Sequence, residues 1–167
     1  MGAAIGALGG LSGGWLGTLG QRRQQLAEQR RWRDEVRRDA YVQYVTSARQ
    51  LIAAQWMLST ILRSEGSAGP EWEDRFTVAH DAWVDFSAAA AAVTVAGPRQ
   101  VADSAEVLRV AVLDAQRAAM SWLDDAREAG RGRLPLREAA FKARMKAVRK
   151  PDKAFQAAVR VALGTDS

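Results

Sequence analysis

Apolar residues return at steps of three and four along most of this chain. Tyr41, Tyr44, Ala48, Leu51, Gln55, Leu58 and Leu62 form one such stripe, widened by Val45 and Ile52, and it stops at "SEGSAGP". Trp72, Phe76, Ala79, Trp83, Phe86, Ala90 and Val93 form a second, ending at Gly97 and Pro98. Val101, Ala105, Leu108, Val112, Ala115, Ala119, Trp122 and Ala126 form a third, interrupted by "GRGRLP". The last holds Phe141, Met145 and Val148, then Phe155, Val159 and Ala162, with Asp152 as its polar member. A stripe of this period is the inner face of an amphipathic helix, and the glycine- and proline-rich breaks are helix ends. Pro70 followed by Glu71, Glu73 and Asp74 suits a helix N-terminus, where proline fits the first turn and carboxylates meet the positive dipole end. Pro151 interrupts the last stripe, so that segment is expected to be a kinked helix or two short collinear ones. Four amphipathic segments joined by short turns predict an all-α fold, an up-down four-helix bundle over residues 41–164 with residues 165–167 as a tail. Large residues such as Trp72, Trp83 and Trp122 alternate with alanines across its core, and the Trp83 ring is expected to be buried there. Gln55 is the polar exception in the first stripe, expected either in the seam, where it would fix register, or at the rim.

Ahead of the bundle the pattern changes. Residues 21–40, "QRRQQLAEQRRWRDEVRRDA", carry only Leu26, Trp32 and Val36 as large apolar positions and read as a basic helical stalk. Residues 1–20 carry no charge and eight glycines. On a helical wheel Gly2, Gly6, Gly9, Gly10, Gly13, Gly14, Gly17 and Gly20 share one arc, while Ile5, Leu8, Leu11, Trp15, Leu16 and Leu19 occupy the other. Overlapping GxxxG spacings make the glycine arc a packing face for another helix, and twenty residues at about 1.5 Å each span a bilayer core. Residues 1–20 are therefore expected to be a transmembrane helix that self-associates. The arginines follow the apolar run instead of preceding it, unlike a secretory signal. Positive-inside reasoning on Arg22, Arg23, Arg30, Arg31 and Arg33 places the N-terminus outside and the bundle in the cytoplasm.

The segments "RRDAYVQYV", "VTVAGPRQVADSAEVL" and "FQAAVRVALG", after an uncharged N-terminal helix and an arginine stalk, resemble a widespread group of small actinobacterial membrane-anchored helical proteins. The resemblance implies the anchored helical architecture and brings no catalytic residues with it.

Composition narrows the chemistry further. The chain has no cysteine and one histidine, which excludes disulfides, thiolate metal sites and cysteine nucleophiles. His80, with Asp81 and Asp85 nearby, is expected to be a bundle-edge residue, and Asp124, Asp125 and Glu128 of "DDARE" a solvated acidic patch. No P-loop, nucleophile elbow or dinucleotide fingerprint is present. No catalytic, cofactor or metal residues are assigned, and the chain is read as a non-enzyme. The net charge of +5 comes mostly from arginine, and its densest run is Arg131, Arg133, Arg137, Lys142, Arg144, Lys146, Arg149, Lys150 and Lys153 against Glu138 and Asp152. Such a run can meet an acidic protein or nucleic acid. The leading expectation is a membrane-anchored scaffold or adaptor acting through an as yet undefined protein partner and a homo-oligomer. The rival expectations are a glycine-zipper pore regulated by the bundle and a soluble nucleic-acid-associated bundle.

Overall fold

The computed structural model describes residues 11–67 and 69–165, with side chains from Gln24 onward. Four helices make up the described residues, α1 (Leu11–Arg63), α2 (Gly69–Ala96), α3 (Arg99–Ala129) and α4 (Pro135–Leu163), with no strand among them. The chain divides into two compact units, Met1–Val36 and Arg37–Ser167. In the first, residues 11–36 are helical, and Leu26, Trp32 and Val36 are exposed. Among the described residues no helix is long and apolar enough to cross a membrane. The reading of residues 1–20 as an anchor with a glycine face lies outside the described side chains, as do Arg22 and Arg23.

Pairings within the second unit give the direction of each helix. The Tyr44 hydroxyl donates to the Ala105 carbonyl at 2.7 Å, and the Gln55 amide donates to Gln116 Oε1 at 2.8 Å. Both pairs join residues 61 apart, so α1 and α3 run parallel. α4 runs against α1: Tyr44 meets Phe155, Trp56 meets Phe141 and Arg63 meets Glu138. α2 runs against α1 and α3, with Tyr44 stacked on Phe86 and Glu73 paired with Arg127. This is an up-down-up-down bundle, in which the parallel pairs α1/α3 and α2/α4 stand on the two diagonals.

The α1 and α3 stripes are buried at every expected position. Gln55 is in the seam, fully buried against Gln116. Along α2, Trp72, Ala79, Phe86, Ala90 and Val93 are buried, but Phe76 and Trp83 are only half-buried, which corrects the expectation for the Trp83 ring. Positions 72, 79, 86 and 93 point straight inward and every seventh residue repeats that direction. Trp83 sits on the flank of the stripe, where one side of a large ring stays wet, and its ring lies 6.0 Å from Phe86. In α4, Phe141, Met145, Val148, Phe155 and Ala158 are buried, whereas Ala162 in the last turn is exposed. α4 passes through Pro151 as one helix. Proline there removes one backbone donor without changing the phase, since Val148 and Phe155, seven residues apart, both reach the core.

Tyr44 is where the four helices meet. Its ring touches Phe86 of α2 and Phe155 of α4, and its hydroxyl crosses the diagonal to α3. Burial raises its pKa, so the phenol stays protonated and remains a donor.

Candidate functional site

The basic run maps onto the loop before α4 and onto α4 itself, and all nine of its cations are exposed. The structure separates them into two groups. Arg133 pairs with Glu65 at 2.9 Å, Arg137 with Asp125, and Lys142 with Glu138 at 2.5 Å. The hydrogen bond from Lys142 holds the Glu138 carboxyl below its ordinary range, with the Arg63 and Arg133 charges acting in the same direction. Arg131, Arg144, Lys146, Arg149, Lys150 and Lys153 form no ion pair among the described residues. The uncompensated charge therefore lies mainly from Arg144 to Lys153, in the middle of α4.

Lys142, Lys146 and Arg149 recur at steps of four and three and line one side of a groove with α1. That groove, about 270 Å³, has Ile52, Trp56, Met145 and Val148 as its apolar wall and Asp152 at its end. A second groove of about 410 Å³ lies further along the same two helices. Its wall is Val42, Val45, Val159 and Leu163, and Arg38, Arg49 and Arg160 rim it. The α1/α4 face is thus an apolar trough edged by cations. Such a surface takes a polypeptide that is acidic at its edges and apolar at its centre. Trp56 is the one aromatic side chain partly exposed in either groove, and it leans edge-on against Phe141 at 5.3 Å. A lone, half-packed ring makes a poor platform for stacked bases.

The α1 half of this surface was not evident from the charge run. Its signal lay in large residues off the core stripe: Val42 and Trp56 are exposed apolar positions fourteen residues apart, with Arg49 midway.

Other candidate chemistry is scattered. His80 is exposed, with its ring 6.1 Å from Phe76. Asp124 pairs with Arg127 at 2.7 Å and Asp125 with Arg137, so two of the three "DDARE" carboxylates are engaged by arginine. Among the described residues no group of three His, Cys, Asp or Glu side chains is placed to hold a metal ion. The buried polar groups are structural in their geometry. Tyr44 and Gln55 tie α1 to α3 at two levels with the same offset, which makes any slip of one helix against the other break both bonds. Gln55 Oε1 has no partner, so the seam keeps one unsatisfied acceptor in exchange for that register.

No protein family, no curated protein and no solved structure matches this chain in sequence or fold.

Proposed function

We propose that the protein is a membrane-anchored, cytoplasmic helical bundle that acts without catalysis, as a scaffold or adaptor. The observation that carries the reading is the α1/α4 face, two apolar grooves edged by cations that α3 and its ion-paired surface do not resemble. Its shape and charge fit a protein segment rather than a small molecule, since both grooves are open. The uncharged, glycine-faced residues 1–20 supply the tether, and the arginines that follow set its orientation. The bundle core lies wholly within Arg37–Ser167, so the tether and the folded module are separable in sequence.

Carbonate extraction of membranes tests the tether. The full chain should stay in the membrane pellet, and a variant lacking residues 2–20 should move to the supernatant and keep its helical circular dichroism. Release of the full chain by carbonate would overturn the membrane reading.

A further inference from the structure

Between Asp39 and Arg63, α1 carries a single charge, Arg49, although much of this stretch faces outward. Its outer line, Val42, Thr46, Arg49, Ala53, Trp56 and Thr60, is exposed at every position. The two helices beside it are charged oppositely. α2 has five acidic residues to one basic, and α4 has eight basic to two acidic. The flank of α2 that faces this side of α1 is a rail of Asp74, Asp81 and Asp85. Asp74 lines a groove with Ile61, Asp85 lines one with Thr46 and Gln50, and Asp81 falls between them on the same stripe. The opposite flank is the rail of Lys142, Lys146 and Arg149.

These rails differ from the other charged surfaces of the bundle. Asp103, Glu106, Asp114 and Asp124 on α3 each pair with an arginine of the same helix. Asp74, Asp81, Asp85, Lys146 and Arg149 form no ion pair among the described residues. Lys142 is the one rail residue already engaged among the described residues, by Glu138 of its own helix. A weakly polar helix face bordered by an unpaired acidic rail and a basic rail with two unpaired cations is complementary to itself under one symmetry. With a two-fold axis parallel to α1, the acidic rail of each copy lies opposite the basic rail of the other. With the axis perpendicular to α1, acid faces acid and base faces base.

The levels along the bundle also agree. Lys146 and Arg149 share a groove with Ile52, while Asp85 shares one with Gln50, and Asp81 lies about one turn further toward Ala53. Opposed rails in the parallel arrangement therefore meet within about one helical turn, and Arg49, which shares a groove with α4, adds a cation on the basic side of the α1 line.

We infer that the outer face of α1 is occupied by a second copy of this chain, in a parallel two-fold dimer held by contacts between the α2 rail of each copy and the α4 rail of the other. This inference rests on the reading of the bundle as a protein-contact module and is independent of the membrane tether.

Because the chain contains no cysteine, single introduced cysteines report the contact cleanly. In the full chain, Thr46→Cys, Ala53→Cys and Thr60→Cys should each form a disulfide with the same residue of a second copy. Self-crosslinking at one position only would indicate an antiparallel pair and overturn the proposal, as would no crosslinking at any of the three. Reversing the α2 rail (Asp74→Lys, Asp81→Lys, Asp85→Lys) should reduce the Ala53→Cys crosslink about tenfold. Adding Lys142→Glu, Lys146→Glu and Arg149→Glu to the same chain should restore it, which separates lost charge complementarity from misfolding. A crosslink unchanged by the first reversal, or unrestored by the second, would show that the rails do not hold the dimer. Membrane retention is read separately by carbonate extraction, so failure of the dimer and failure of the tether give different results.

Discussion

Trp122→Ala is expected to cost about 3–5 kcal/mol in urea denaturation, the largest loss from any single truncation in the bundle. The ring is fully buried and lies 6.0 Å from Phe141 of α4. Its indole N–H also donates to the Gly132 carbonyl at 2.8 Å. Truncation therefore removes a large apolar group, leaves a cavity, and strips a buried carbonyl of its donor. Trp83→Ala removes the same atoms from a half-buried position and should cost about 1–2 kcal/mol. Equal losses for the two variants would show that the flank of α2 is as enclosed as the centre of the bundle.

Gly132→Ala should be the most damaging small change outside the helices, at about 2–3 kcal/mol, read as a fall in Tm of roughly 5–12 °C for a domain of this size. A Cβ at this position would overlap the Leu62 carbonyl oxygen and stand 2.8 Å from its carbonyl carbon and 3.0 Å from its Cα. These are backbone atoms in the last turn of α1, and the Leu62 side chain is fixed in the core. Neither side can yield without disturbing the other, and any retreat of the loop would lengthen the hydrogen bond to Trp122. Gly130→Ala is the comparison: a Cβ there meets nothing within 4 Å, and its φ of +60° imposes only the left-handed penalty of about 1 kcal/mol. A smaller fall for Gly132→Ala than for Gly130→Ala would contradict the close approach.

The sequence stripes of α1 and α3 translate directly into burial because each faces the bundle centre across the diagonal, so both step-three and step-four positions are covered. In α2 the same spacing was ambiguous. It identifies the helix and its apolar side, but whether Phe76 and Trp83 or Ala79 and Phe86 lie nearest the centre depends on rotation against neighbours that periodicity does not contain. Gly132 was invisible for a related reason: its constraint comes from the end of α1, seventy residues earlier, and no local turn signal records it. The basic run was legible as composition, but which three of its cations are compensated and which six are not was hidden. Arg133 is neutralised by Glu65, 68 residues away, and Arg137 by Asp125 from the preceding helix. Pro151 left two outcomes open, a kinked helix or two short ones, and the continuous phase from Val148 to Phe155 goes with a single helix.

Protease accessibility tests the central proposal, that a folded bundle is held on the cytoplasmic side of a membrane through residues 1–20. Arg131 and Arg133 are exposed in the loop between α3 and α4, outside any helix, and offer trypsin cleavage sites. In cells expressing the full chain, trypsin added outside intact cells should leave the bundle whole, and trypsin added to inverted membrane vesicles should cleave it. A bundle cut from outside intact cells, or one recovered uncut from inverted vesicles that remain open to the enzyme, would contradict the account.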